Sequence, residues 1–109
     1  MTMKLLQGTV DVLILKTLSL GPMHGYGVST FIRRCSDGDL GLEDAALYQA
    51  LHRLERKDLI EAEWGVSENN RRAKYYQLTE LGREELHRST SMWRRYAEAV
   101  FKILEPERA

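Results

Sequence analysis

The side chains best suited to chemistry in this 109-residue sequence begin in a stretch at residues 44–57. Its apolar residues recur at i, i+3, i+4 and i+7, which predicts an amphipathic helix with one buried face: Leu47, Ala50, Leu51 and Leu54. The opposite face carries long hydrogen-bond donors and one aromatic ring: Tyr48, Gln49, His52, Arg53, Arg56 and Lys57. Such side chains reach phosphates and base edges when a helix enters the major groove of DNA. An ordinary solvated helix face is the alternative interpretation.

A second polar stretch follows, where the apolar period changes from 3.6 to 2. Ile60, Ala62 and Trp64 alternate with acidic residues, and residues 74–78 alternate again, so a β-hairpin is predicted. Its connection, residues 65–73, is too long for a two-residue turn and is expected to be a mobile loop. The polar residues at its end are Asn69, Asn70, Arg71 and Arg72, and Lys74 begins the second alternating run. A basic hairpin beside a recognition helix is typical of a DNA-binding wing, and a hydrophilic hairpin tip is the alternative.

Other kinds of chemistry find little support in the sequence. The three histidines, His24, His52 and His87, lack metal-ligand spacing with one another or with Cys35. The sequence has no glycine-rich phosphate loop beside a strand, and no nucleophile lies in a known motif. We therefore expect no enzyme activity, no metal and no cofactor.

Length and composition set further limits. A chain of 109 residues has room for one domain and one core, and 43% hydrophobic residues exclude a disordered chain. Sixteen basic and sixteen acidic residues give zero formal charge, so any DNA contact must be local. The single cysteine and the lack of a signal peptide predict a cytoplasmic protein. Its apolar runs are shorter than the roughly 20 residues that a membrane span needs.

Two further helices must hold these stretches in place. Helix one is predicted to be capped by Thr9 and to end at Gly21-Pro22. Its apolar face comprises Val10, Leu13, Ile14, Thr17 and Leu18. Helix two begins near His24-Gly25, and one face carries Val28, Phe31, Ile32 and Cys35, so the thiol is expected to be buried. Three such helices followed by a hairpin predict a winged helix-turn-helix, mostly α with a small β-hairpin.

A last helix of roughly 25 residues is predicted after Thr79, which can cap it. One side shows heptad spacing at Leu86, Thr90, Trp93, Ala97, Val100 and Leu104, widened by Met92, Tyr96, Ala99 and Ile103. A core of this size cannot cover that stripe, so a homodimer is expected. Packing on helix one alone is the alternative. Residues 1–79 would form the DNA-binding domain and residues 80–109 the dimerisation helix, as one compact unit.

Trp93 lies in the middle of this stripe, with Tyr96 close to it on the same helix. In a symmetric dimer each ring would lie near its copy across the two-fold axis. The paired rings would form an apolar slot that stacks a planar aromatic effector. Packing of the dimer core by Trp93 is the alternative.

Three blocks of the sequence resemble the PadR family of bacterial transcriptional regulators: LLQGTVDVLILKTLSLGPMHGYGV, LYQALHRLERKDLIEAEW and YYQLTELGREEL. The resemblance implies a homodimeric repressor that binds a pseudo-palindromic operator in double-stranded DNA. The single C-terminal helix is similar to that of the shorter class, some members of which hold flat aromatic compounds near its tryptophan.

The resemblance also implies roles for particular residues. Tyr48 matches a DNA-facing tyrosine, and Arg71, Arg72 and Lys74 match the basic wing. The chain departs from the family pattern at Glu43, Ala45, Gln49 and Asp58. A winged helix that binds protein instead of DNA is the competing interpretation, suggested by the zero net charge and by acidic residues near the helix and wing.

Overall fold

A computed structural model describes residues 3–4 and 8–106. Within this part of the chain the helices are α1 (Thr9–Leu18), α2 (Gly25–Cys35), α3 (Asp44–Arg56) and α4 (Glu80–Leu104). The strands are β1 (Met3–Lys4), β2 (Met23–His24), β3 (Leu40–Gly41), β4 (Ile60–Val66) and β5 (Arg72–Leu78). The predicted architecture, helical with a small sheet and a long C-terminal helix, is confirmed.

The core lies where α1, α2 and α3 meet the base of the β4–β5 hairpin. Its buried side chains include Ile14, Leu15, Leu18, Val28, Ile32, Leu47, Leu51, Leu54, Ile60 and Tyr76. The predicted buried face of α3 is confirmed. On α1 the buried face differs from the prediction, since Val12 and Leu15 are buried while Val10 and Leu13 are only half-buried. This helix contacts α2, α3 and α4, so more than one of its faces is covered.

Two of the helices begin at a side-chain cap. Nδ1 of His24 accepts a hydrogen bond from Gly27 N at 3.0 Å, and Thr79 Oγ1 accepts one from Gly82 N at 3.0 Å. Each bond satisfies a backbone donor that has no partner inside its helix. The predicted cap at Thr79 is confirmed. The predicted cap at Thr9 was wrong, because Gly8, in the left-handed conformation with φ 93°, is the cap residue and Thr9 is the first residue of α1.

The end of α3 is a tight turn through Asp58. Leu59 N donates to Leu54 O at 3.0 Å, and Asp58 N donates to Glu55 O at 3.0 Å. These two bonds define a Schellman motif, whose turning residue is usually glycine. Asp58 adopts the required left-handed conformation with φ 61°. Asp58 therefore takes the left-handed position of this motif, where the family pattern has glycine.

Cys35 is exposed, so the prediction of a buried thiol was wrong. Helical spacing does place it on the face of Val28 and Ile32, both of which are buried. It is, however, the last residue of α2, and the chain turns away at residues 36–38. The covered part of that face ends before Cys35.

The sheet is antiparallel with strand order β2-β5-β4. Its β4–β5 hairpin pairs Ile60 with Leu78 at one end and Val66 with Arg72 at the other. The connection therefore spans residues 67–71, and the predicted connection of residues 65–73 was too long because the strands continue past Gly65. The strand β2 was not predicted, nor was the parallel pairing of β1 with β3.

The first turn of α4 is fixed to the turn that follows α3. Thr79 N donates to Leu59 O at 3.1 Å, and Thr79 Oγ1 donates to Asp58 O at 2.7 Å. A Cβ on Gly82 would lie 2.0 Å from the Leu59 carbonyl oxygen, so only glycine allows this approach. The dimerisation helix of the prediction is thus joined directly to the end of the predicted recognition helix.

Beyond its first turns, α4 leaves large apolar side chains in solvent. They are Met92, Trp93, Tyr96, Phe101, Ile103 and Leu104. Of the predicted stripe, Leu86 packs against the core, and Ala97 and Val100 are half-buried. None of the helices in the described part of the chain has the length and hydropathy needed to span a bilayer.

Candidate nucleic-acid interface

The outward face of α3 presents the donors expected from the sequence. Tyr48, Gln49, His52 and Arg56 are exposed, because the apolar face of the same helix is buried in the core. Because these side chains are exposed, they are available to an external partner. This face forms one wall of a groove.

The other wall of the groove is the wing, residues 60–78. The groove has a volume of about 650 Å³. Its lining combines aromatic rings and cations: His24, Tyr26, Tyr48, His52, Trp64, Arg71, Arg72, Lys74 and Tyr76. The structure thus brings Tyr48 and His52 of the helix together with the basic residues of the wing, as the sequence predicted.

Tyr48 lies against the start of α2. A Cβ built on Gly25 would be 2.9 Å from the Tyr48 hydroxyl and 3.1 Å from the nearest atom of its ring. The glycine therefore leaves room for the ring at the edge of the groove. Its backbone is helical, so glycine is needed here for space rather than for φ.

Arg53 is engaged by a carboxylate on the side of α3 away from the wing. Its Nη2 donates to Asp11 Oδ1 at 2.5 Å and its Nε donates to Asp11 Oδ2 at 3.3 Å. The hydrogen bond to Asp11 raises the pKa of Arg53, while burial acts in the opposite direction and the charge of Asp11 adds to the rise. Arg53, predicted to contact DNA, instead joins α3 to α1 in this structure.

Lys74 is also engaged, on the side of α3 that faces the wing. Its Nζ lies 3.6 Å from Glu55 Oε1 and 5.5 Å from the centroid of the Tyr76 ring. Burial raises the pKa of Tyr76, and the charge of Glu55 adds to the shift. Lys74, predicted to belong to the basic wing, connects β5 to the recognition helix in this structure. The two ion pairs fix α3 on both flanks.

Within the connection of residues 67–71, hydrogen bonds leave a three-residue tip, residues 68–70. Asn70 N donates to Ser67 O at 2.9 Å, and Ser67 N donates to Arg71 O at 2.7 Å. Asn70 has φ 58°, the left-handed conformation that ends a loop of this type. Asn70 thus serves the turn, while the exposed side chain of Arg71 follows directly.

Several groove residues were not assigned a DNA-binding role from the sequence, among them His24, Tyr26 and Trp64. His24 and Tyr26 reach the groove because β2 pairs with β5, which the sequence did not reveal. The sequence did mark Trp64, as a tryptophan on the alternating strand beside the basic loop. In the structure its side chain is 57% exposed. Arg72 Cζ lies over its ring, 4.4 Å from the centroid.

The requirements of a metal site are not met by the described residues. Among residues 3–4 and 8–106, no three His, Cys, Asp or Glu side chains are close enough together to hold a metal ion.

The chain is similar to known transcriptional regulators. The profile described as "Transcriptional regulator PadR-like family" matches residues 14–88. A transcriptional regulator from Clostridium thermocellum superimposes with a TM-score of 0.83 at 29% identity, covering 91% of this chain and 96% of that one. A PadR family transcription regulator from Clostridium difficile gives a TM-score of 0.77 at 30% identity, covering 89% and 99%. An uncharacterised protein from Lysinibacillus sphaericus is 29% identical over 93% of both chains.

Proposed function

Because the chain belongs to the PadR-like family of transcriptional regulators, which bind DNA, we propose that it is a homodimeric repressor of a pseudo-palindromic operator. Membership in this family of non-enzymatic proteins confirms the prediction that the chain is not an enzyme. The proposal assigns residues 1–79 to DNA binding and the remaining helix to dimerisation.

The groove between α3 and the wing is the observation that carries the proposal. In the proposed complex, α3 enters the major groove of the DNA and directs Gln49 and His52 to base edges. Tyr48, on the side of the protein groove beside α2, contacts the DNA backbone. Asn70, Arg71 and Arg72 contact phosphate or the minor groove next to it. Arg53 and Lys74 support the interface by holding α3 in position, because their charges are matched by carboxylates.

Selection of bound sequences from random duplex DNA tests this function. We expect a palindrome whose half-sites lie about 34 Å apart, since a dimer presents two recognition helices to successive major grooves. Binding should weaken linearly in log–log form with salt, because cations that neutralise phosphates release counterions. If no DNA sequence is enriched and the binding affinity does not depend on salt concentration, a protein partner is favoured over DNA.

The dimer is supported by the uncovered stripe of α4. In the single chain Tyr96 is 66% exposed and Ile103 is 81% exposed. Contiguous apolar surface of this kind is a liability unless another molecule covers it. A second copy of the same helix is the partner expected for a symmetric regulator, since a two-fold interface pairs a surface with itself.

Release by a small planar aromatic compound is the last part of the proposal. Trp93 is 36% exposed and meets Tyr96 edge-to-face, with centroids 5.9 Å apart and an interplanar angle of 83°. These rings lie beside a groove lined by Val12 of α1 and Met92 of α4. An aromatic ligand stacked there would change the angle between the two winged helices and thus their fit to the half-sites.

The effector is tested in a Trp64→Phe background, where only Trp93 fluoresces. Planar aromatic compounds should quench that emission and release the operator. Trp93→Ala should then remain dimeric and bind the operator but no longer respond. If Trp93 instead packs the dimer core, Trp93→Ala should weaken the dimer by roughly 3 kcal/mol, and the compounds should have no effect.

A further inference from the structure

One face of the β4–β5 hairpin runs from the core to the tip of the wing. Its cross-strand pairs are Ile60–Leu78, Ala62–Tyr76, Trp64–Lys74 and Val66–Arg72. The first two pairs lie at the core, whereas Trp64 and Arg72 are exposed and line the groove. The change from buried to exposed occurs along a single face, so the outer part of the wing presents its side chains to the same groove as α3.

Trp64 and Arg72 are diagonal neighbours on this face. The guanidinium carbon of Arg72 lies over the indole, 4.4 Å from the ring centroid. This distance is well inside the range of about 6 Å for a favourable cation–π contact. A guanidinium that contacts a ring through its face keeps the N–H groups at its edge available for acceptors.

Arg72 differs in this respect from its neighbour Lys74. Lys74 is directly opposite Trp64 and is held by Glu55. Within the part of the chain that the structure describes, Arg72 forms no ion pair with a carboxylate. The indole is thus the group that orders Arg72 without neutralising it, and the full positive charge remains available.

We propose that Trp64 is a positioning residue that presents the guanidinium of Arg72 to the DNA minor groove and so gives the regulator a preference for A·T-rich sequence beside each half-site. This inference rests on the proposed function. A-tracts have a narrow minor groove with an enhanced negative potential that attracts arginine. An arginine already ordered on a ring loses less conformational freedom on binding than a mobile one. The contribution of Arg72 to the binding free energy therefore depends more on the width of the DNA minor groove than on the number of phosphates contacted.

The test compares two duplexes that share the selected half-sites and differ only in flanks, one A-tract and one G·C-rich. Fluorescence anisotropy titrations at several salt concentrations give the affinity ratio and the salt slope for each variant. The parent should prefer the A-tract flank. Trp64→Leu should reduce that preference by about fivefold, because the cation–π contact is lost, and should keep the salt slope, because Arg72 is still charged. Trp64→Phe should retain most of the preference.

Two further variants separate positioning from a general weakening of the wing. Arg72→Lys keeps the charge but loses the planar group, so it should behave like Trp64→Leu. Val66→Ala removes the residue directly opposite Arg72 without touching the indole, and it should match the parent. Thermal unfolding of each variant confirms that the fold is intact.

The outcomes are distinct. If Trp64→Leu keeps the flank preference of the parent, or Val66→Ala loses it equally, the inference is overturned while DNA-binding regulation stands. A parent that binds the operator with a steep salt slope but without flank preference also overturns it. A parent that binds no DNA overturns the proposed function itself.

Discussion

The same type of side chain does different work at different positions around α3. Arg53 is bound by Asp11 on one flank, and Lys74 is bound by Glu55 on the other. Arg71, at the tip of the wing, is exposed. Basic residues that are bound by a carboxylate, such as Arg53 and Lys74, orient the recognition helix. The exposed Arg71 carries a charge that phosphates can neutralise.

This difference predicts unequal responses to alanine. Arg71→Ala should lower the salt slope of binding by about one and weaken operator and unrelated DNA alike, because a phosphate contact carries little sequence information. Arg53→Ala should change the slope less, because its charge is already compensated by Asp11. Titrations of both variants at four or more salt concentrations measure the slopes.

Asp11→Asn is the matched control, since it frees Arg53 while keeping the size of the partner side chain. We expect its affinity for unrelated DNA to rise above that of the parent. Equal slopes for Arg71→Ala and the parent would rule out a phosphate contact by Arg71.

At the scale of the element, the turn between α3 and β4 has a residue poorly suited to its conformation. Asp58 has φ 61° in a position where glycine has no steric cost. Asp58→Gly should therefore stabilise the protein by about 1 kcal/mol, measured by urea denaturation at constant m-value. Asp58→Asn, which removes the charge but still tolerates this conformation, should change stability little. A gain of similar size in Asp58→Asn would show that charge, and not backbone strain, is responsible.

The elements predicted well from sequence are those with several turns of regular spacing. The helices α3 and α4 carry long apolar periodicities, and α4 also has a cap that can be recognised at Thr79. The strand β2 has two residues, too few for alternation to appear, and its partner β5 lies more than 45 positions away in the chain. The recognition helix and the wing, which form two walls of the groove, were therefore predicted, and the part lined by His24 and Tyr26 was missed.

The engagement of the basic residues was likewise beyond sequence reasoning. Arg53 and Asp11 are 42 positions apart, so their contact depends on how α1 crosses α3. Periodicity assigns a residue to a face of its own helix, but it says nothing of which neighbour that face meets. The prediction that Cys35 is buried was wrong for a related reason. Helical spacing does not show where the packing of neighbouring elements against a helix face ends.

At the scale of the whole molecule, the uncovered end of α4 predicts how assembly will respond to charge. Ile103 is 81% exposed in the single chain, so Ile103→Glu should leave the fold of each subunit unchanged. In the proposed dimer that position is buried, where an unpaired carboxylate is costly, so the variant should be monomeric. Sedimentation or light scattering measures the mass.

Lys102→Glu is the matched control, because it introduces the same side chain one position away, off the apolar stripe. It should remain dimeric. If Ile103→Glu has the mass of the parent, this part of α4 does not form the dimer. Loss of the dimer should also weaken operator binding far more than binding to a single half-site.

The pairing of β2 with β5 has a consequence for the order in which the chain folds. The β4–β5 hairpin closes over five residues, whereas two helices, α2 and α3, separate Met23 from its partner Tyr76 in the chain. Closing the longer loop has the larger entropic cost, so we expect that pair to form after the main folding barrier. Met23→Ala should then accelerate unfolding and leave refolding nearly unchanged in stopped-flow measurements. A refolding rate that falls in proportion to the lost stability would place β2 in the folding nucleus instead.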